Sequence, residues 1–286
     1  MRLDIAYDGT GFAGWAKQPT LRTVQGVLEG ALATVFRRHG EPPTLTVAGR
    51  TDAGVHATGQ VAHVDLTPDQ LASIERRSSE GVQALARRVN GILGLDSDVV
   101  VGGASVAPEG FDARFSAIWR RYEYRIADAT VTKNPVLRNH VLSYPAVLDE
   151  QAMDAAASTL VGLHDWAAYC KPREGATTIR TLQDFRWARD EAGLLVARLK
   201  ADAFCHSMVR ALVGASVAVG AAKLAATDLV RLRDDRQRTS EFKVMPAKGL
   251  TLVQVGYPAD AELGIRAAQT RARRDVIATT GENRLQ

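Results

Sequence analysis

Between Val24 and Phe36 the apolar residues Val24, Val27, Leu28, Ala31, Leu32, Val35 and Phe36 fall at alternating steps of three and one. That spacing draws a single stripe down a 3.6-residue helix, so it predicts an amphipathic helix with one face buried. Thr23 stands where an N-cap belongs. Before this helix, Met1–Tyr7 alternates like a strand; after it, Thr44–Val47 predicts a short one. Strands are also predicted at Val99–Val101, Arg120–Ile126, Leu194–Ala203 and Leu250–Val255. Helices are marked by Met153, Ala156, Ala157, Leu160 and Val161, and by Met208, Val209, Leu212, Val213, Ser216 and Val217. In Arg120–Ile126 a period of two sets Tyr122, Tyr124 and Ile126 on one face and Arg121, Glu123 and Arg125 on the other. Helices and strands alternate in both halves, which predicts an α+β fold with helices packed on a largely antiparallel sheet. No sequence repeat links the halves.

The segment Ala48–Val64 departs from this regular pattern. It reads AGRTDAGVHATGQVAHV: a loop of Gly, Thr and Ala carrying Arg50 and Asp52, running into a strand over Gln60–Val64. Packing gives no reason to set an Arg and an Asp in so small-residue a loop. Glycine lets a backbone approach a ligand closely, and loops on a rigid scaffold often carry reactive groups. Taken alone, the loop is equally a turn closed by an ion pair.

Four blocks in order give it more meaning. Gly49-Arg50-Thr51-Asp52-Ala53-Gly54-Val55-His56, followed by Gly59-Gln60-Val61-Ala62-His63, resembles the signature of the TruA family of tRNA pseudouridine synthases. Phe111–Ala117 leading into Arg120–Tyr124 resembles that family's second motif, and Ala203–Arg210 with Val213-Gly214 its third. Gly249–Val253 with Tyr257-Pro258 resembles its closing strand. Together they span roughly the first 258 residues, and four coincident blocks are far more specific than one short motif.

The resemblance implies a fold of two similarly built subdomains joined across a basic central cleft. It also implies isomerisation of uridine to pseudouridine at positions 38, 39 and 40 of the tRNA anticodon stem-loop, by a homodimer without cofactor. Asp52 takes the place of the catalytic aspartate, and Arg210 that of its arginine partner. Tyr122 takes the place of the tyrosine that stacks on the extruded uracil, and Arg50 that of an arginine engaging RNA. The subdomains are expected as 1–105 and 106–258, since Gly102-Gly103 and Pro108-Glu109-Gly110 break the periodicity. Residues 259–286 form a polar, Arg-rich tail with no assigned role.

The chemistry suits those residue types. The reaction breaks the N1–C1′ bond, turns the uracil and rejoins it through C5, with no redox change and no group donor. One ionised carboxylate can attack base or sugar, or remove a sugar proton, and the sequence does not choose among these routes. In a small-residue loop, lost hydration works against ionisation, and a fixed cation nearby restores it. A phenol ring offers a stacking floor to a base, worth about 1–3 kcal/mol in single-strand binders. Tyr124 shares Tyr122's face, so periodicity does not separate the two; a core role is expected for Tyr124.

Charge and composition set limits on the function classes. The 286 residues are long enough for two cores. No run of about 18 apolar residues occurs, so no membrane span is expected, and the amino terminus lacks a signal-peptide core. Net charge is only +4, yet 29 of 36 basic residues are Arg, whose planar fork suits phosphate and base stacking. A GC-rich genome gives the same bias. The pairs Arg37-Arg38, Arg76-Arg77, Arg87-Arg88, Arg120-Arg121 and Arg273-Arg274 are the candidates for an RNA track. Two cysteines, Cys170 and Cys205, are too few for a disulfide framework, so a reduced, cytoplasmic setting is the expectation. His56, His63 and His206 match no metal-ligand spacing, so no metal is expected, and His56 and His63 are read as supporting or RNA-facing groups.

Three departures from the family pattern bear on substrate breadth. Thr251 stands where an aromatic is common, Asp112 where His is frequent, and Lys223–Lys248 is a charged helix-plus-loop stretch. Two other classes compete. A non-catalytic RNA-binding protein would not need Asp52, and a glycosidase would need a second placed carboxylate, which no block supplies.

Overall fold

The computed structural model describes residues 1–75, 81–173, 175 and 177–282, with side chains described as far as 272. The chain divides into two compact units, Met1–Ile118 with Val255–Gln286, and Trp119–Gln254.

In the first unit β1 (Arg2–Tyr7) lies between β3 (His56–Val64) and β4 (Val99–Ser105), antiparallel to both, and β2 (Leu45–Val47) pairs antiparallel with β3. The predicted helix is α1 (Val24–Val35), capped by the Thr23 side chain, which accepts the Gly26 N–H. It buries Val24, Leu28, Ala31 and Leu32, and Phe36 just beyond. α2 (Pro68–Glu75) and α3 (Ala84–Leu93) follow, and α3 contributes Leu85 and Val89 to the core. Gly102 and Gly103, read from sequence as a break, lie inside β4. The register to β1 shifts between Asp4 and Ile5, passing over Gly102, so the glycines mark a bulge.

In the second unit the strands run in the order β10 (Leu250–Gly256, of which residues 250–254 lie in this unit), β5 (Trp119–Ala127), β9 (Leu195–Ala201), β8 (Ile179–Arg189), β7 (Gly162–Asp165). β5–β9–β8–β7 are antiparallel, and the two-residue β6 (Leu142–Ser143) pairs parallel with β5. α4 (Glu150–Ser158), α5 (Met208–Gly220) and α6 (Ala226–Asp235) complete the unit. α5 is apolar on every side and nearly all of it is buried, which makes it this unit's core helix. Gly214 allows that: a Cβ there would meet the Lys243 carbonyl oxygen at 2.0 Å. The fold class is therefore α+β, with helices on largely antiparallel sheet in each unit.

The break expected at residues 102–110 does not coincide with the observed division at Ile118/Trp119. Residues 111–117 are bound within the first unit. Ala113 N–H donates to His63 Nδ1 (3.0 Å), Ser116 Oγ to the Leu263 carbonyl (3.1 Å), and Tyr257 OH to the Ala113 carbonyl (2.8 Å). The tail forms α7 (Leu263–Glu282) and belongs to this unit as well. Among the described residues no helix is long and apolar enough to cross a membrane.

Candidate active site

The Asp52 loop leaves β2 and enters β3, and its main chain is gripped from the side by residues 9–15. Trp15 N–H donates to the Thr51 carbonyl (3.0 Å), Gly54 N–H to the Phe12 carbonyl (3.2 Å), and Val55 N–H closes a turn onto the Asp52 carbonyl (3.2 Å). Two glycines make the approach possible. A Cβ on Gly9 would lie 2.0 Å from the Val55 carbonyl oxygen. Gly14, at φ +101°, would set its Cβ 2.9 Å from the Thr51 oxygen. The same segment feeds α1, since Val24 and Gln25 N–H donate to the Gly14 and Trp15 carbonyls. Asp52 is half-buried and Arg50 exposed. Both predicted residues of this loop thus stand on a backbone fixed by hydrogen bonds to a neighbouring segment.

The two signature histidines are buried or half-buried supports. His56 is 2% exposed, and its Nδ1 accepts the Gly9 N–H at 3.0 Å, with Asp8 Oδ1 3.1 Å away. His63 Nδ1 accepts from Ala113, its ring meets Phe111 edge-on, and burial holds its pKa below the ordinary imidazole value. Asp112, one of the departures from the family pattern, acts as a turn cap. Its Oδ1 accepts the N–H groups of Arg114 and Phe115, and its Oδ2 accepts from Arg271 of α7 at 2.6 Å. The Arg271 guanidinium also lies 4.9 Å from the Phe115 ring centre.

In the second unit β5 sets Tyr122 and Tyr124 on one face, opposite Leu199 and Ala197 of β9. The structure separates the pair that periodicity could not. Tyr124 is fully buried, its hydroxyl donates to the Pro246 carbonyl (2.8 Å), and burial pushes its pKa well up. Tyr122 retains 9% exposure and meets the Phe204 ring edge-on at 5.2 Å. Phe204 opens the segment that leads into α5. There Ser207 adopts a left-handed backbone (φ 66°), uncommon for a residue with a Cβ, and its Oγ accepts from Arg210 Nη2 at 3.0 Å. Arg210 Nη1 reaches the Met245 carbonyl at 3.4 Å. Residues 204–207 therefore touch Tyr122 at one end and Arg210 at the other, and bring these two predicted residues onto one support. Arg50 and Asp52 belong to the first unit, Tyr122 and Arg210 to the second.

Within the same support, Cys205 is joined to Cys170 as a disulfide, with Cα atoms 5.8 Å apart, and Lys171 N–H donates to the His206 carbonyl. Two cysteines make no framework, and nothing in their spacing announced this pair. The arginine pairs scatter. Arg37, Arg38 and Arg87 are exposed, Arg120 donates to the Asp202 carbonyl (2.7 Å), and Arg121 reaches Gln254 (3.3 Å). Arg76-Arg77 and the Arg273 and Arg274 side chains lie outside the described residues. The sequence reading missed Trp119, over which Lys200 (4.6 Å) and Arg121 (5.4 Å) both sit. The signal in the sequence was its place two residues before Arg121, which sets both on one face of the strand.

A family model described as tRNA pseudouridine synthase matches residues 156–258. A tRNA pseudouridine synthase A from Leifsonia xyli subsp. xyli is 65% identical over 278 residues, covering 96% of either chain. One from Streptomyces griseus is 53% identical, covering 95% of this chain and 92% of its own, and one from Cutibacterium acnes is 50% identical, covering 99% of both. Among solved structures, a chain of a Cbf5-Nop10-Gar1 complex is similar at 8% identity and a TM-score of 0.34, over 76% of this chain and 45% of its own.

Proposed function

The chain belongs to the tRNA pseudouridine synthase A family, and on that premise we propose that it converts uridine to pseudouridine at positions 38, 39 and 40 of the tRNA anticodon stem-loop. The observation that carries this reading is the Asp52 loop, a half-buried carboxylate on a small-residue backbone clamped through its main chain. Such a loop offers a reacting group at a fixed place with room for a base beside it.

In this reading Asp52 is the catalytic carboxylate. Arg210, by its place in the third motif, is the arginine partner of that aspartate. Tyr122 supplies the stacking surface for the extruded uracil, and Arg50, exposed on the loop, engages the RNA. Extruding a nucleotide from a stem costs a few kcal/mol, and ring stacking offsets part of that. The isomerisation conserves every atom and electron of the nucleotide, so its chemistry asks for no cofactor. The same motif correspondence supports a homodimer, one subunit helping to hold the tRNA while the other modifies it.

The test is site-mapped pseudouridine in unmodified transcripts, one with uridines at 38, 39 and 40 and one with cytidines there. Pseudouridine confined to the first transcript is expected. Product at other uridines would overturn the positions. No product from a folded protein that still binds tRNA would favour a non-catalytic RNA-binding protein.

A further inference from the structure

The grip on the Asp52 loop has a component outside the four motif blocks. Tyr7, the last residue of β1, is 5% exposed, and its hydroxyl lies 2.7 Å from Thr51 Oγ1, the residue before Asp52. Gln60, fully buried in β3, donates through Nε2 to the Tyr7 oxygen (3.2 Å) and to the Gly49 carbonyl (2.9 Å). The orientation of that amide is set by a third bond, because the Val61 N–H donates to Gln60 Oε1 at 3.2 Å. With Oε1 facing the N–H, the amide nitrogen must face Tyr7 and Gly49. The Tyr7 oxygen then accepts from Gln60 and shares the 2.7 Å bond with Thr51 Oγ1, in which either hydroxyl can be the donor.

The direction of this chain matters for the loop. Gln60 holds the carbonyl of Gly49, just before Arg50, while Tyr7 holds the side chain of Thr51, just after it. The Thr51 carbonyl is held separately by Trp15. Burial pushes the Tyr7 pKa up to about 12, with the bonds to Thr51 and Gln60 working the other way. The phenol therefore keeps its proton at any working pH. The register of β1 on β3 reinforces the arrangement: Ile5 pairs with Gln60 and Tyr7 with Ala57, so β3 carries one extra residue at this point. Bulges re-aim side chains, and they concentrate beside active sites.

We propose that Tyr7 is a positioning residue for the reaction: its hydroxyl, oriented by Gln60, holds Thr51 and so sets the backbone from which Asp52 projects. The inference rests on the reading of Asp52 as the reacting carboxylate. It touches the rate and leaves the affinity alone, because Tyr7 and Gln60 are buried and meet no RNA, while tRNA binding is spread over many phosphates.

The experiment measures single-turnover pseudouridine formation and tRNA dissociation constants for wild type, Tyr7→Phe, Thr51→Val, the double variant and Thr51→Ser. Tyr7→Phe and Thr51→Val should each slow the reaction about tenfold, in line with the cost of a slightly misplaced reacting group, with affinity kept within about twofold. The double variant should be no slower than the slower single one, since both remove the same bond. Thr51→Ser, which keeps the hydroxyl, should recover a rate within about twofold of wild type. A wild-type rate in Tyr7→Phe, multiplying losses in the double variant, or affinity falling in step with rate would each overturn the proposal. Should Tyr7→Phe fail to fold, equal rates for Thr51→Ser and Thr51→Val would do so instead. A wild type that makes no pseudouridine overturns the reaction itself, and the role with it, which is a different result from an active wild type matched by its Tyr7→Phe variant.

Discussion

Around Asp52 the chain is held by its own main chain: carbonyls and N–H groups of Thr51, Asp52, Gly54 and Val55 bond to residues 9–15 or to one another, and Gly9 and Gly14 let the two backbones touch. Around Tyr122 and Arg210 the holding is done by side chains: the Phe204 ring against Tyr122, the Ser207 hydroxyl under Arg210, the Tyr124 hydroxyl on Pro246. The first region should be intolerant of an added Cβ at its contacts and, apart from the Tyr7, Thr51 and Gln60 side chains, indifferent to many side-chain exchanges. The second should respond to each side chain separately. Main-chain clamping fixes a reacting group through residues that look featureless in a sequence, whereas side-chain clamping leaves aromatic and polar residues as visible marks.

The largest effect expected from this contrast is at Gly9. Gly9→Ala drives a Cβ toward the Val55 carbonyl, and the loop must move. Turnover should be lost and stability reduced by about 3 kcal/mol or more, read by denaturant unfolding beside a pseudouridine assay. An alanine variant with normal stability and rate would break the contrast. Next comes Arg210→Ala in the second region, which should slow catalysis about 100-fold, the scale of losing one electrostatic stabiliser, while tRNA affinity is kept. A retained rate would remove Arg210 as the partner of Asp52.

A smaller effect concerns a carboxylate whose role is structural. Asp128, with its side chain fully buried, accepts from Arg189, from Thr130 Oγ1 and from the N–H groups of Thr130 and Leu148. Burial works against its charge, but these bonds more than offset that and hold its pKa well below the ordinary carboxylate range. A lowered folded-state pKa means stability present above the unfolded value, about 4, and lost as pH falls through and below it. Arg189→Ala should cost about 1–3 kcal/mol and flatten that acid limb of the stability profile; an unchanged limb would contradict the assignment. The smallest effect is at Tyr122→Phe, which keeps the ring. A rate within about threefold of wild type assigns Tyr122 to stacking, and a larger loss assigns its hydroxyl a part in the chemistry.

The contrast also explains what was legible beforehand. α1 was plain because its apolar steps keep a single helical phase and Thr23 caps it. The Asp52 loop was visible as an order of residue types, but the segment gripping it was not, since Gly9 and Gly14 reach the loop only through the fold. β8 escaped because its core residues Leu182, Phe185 and Trp187 do not keep a period of two; the register shift between Leu182 and Asp184 restores their common face only in three dimensions. Leu194–Ala203 was read two residues too long at its end, where Asp202 turns to bond Thr181 and Ala203 N–H groups. The unit boundary was misplaced because Gly102-Gly103 signalled a break and marked a bulge. α7 is held by its buried Leu263 and Ala267, by Ser116 donating to the Leu263 carbonyl, and by Arg271 meeting Asp112, 159 residues away in the chain. No local pattern announces such a pair.

The most direct test of the account is Asp52→Asn, assayed for pseudouridine formation and for tRNA binding in the same preparation. The substitution keeps the size of the side chain while replacing the charged carboxylate, an acceptor only, by a neutral amide. The account predicts no detectable product and a tRNA affinity within about threefold of wild type, because binding rests on many phosphate contacts. Pseudouridine formed at the wild-type rate, or binding lost together with activity, would contradict it.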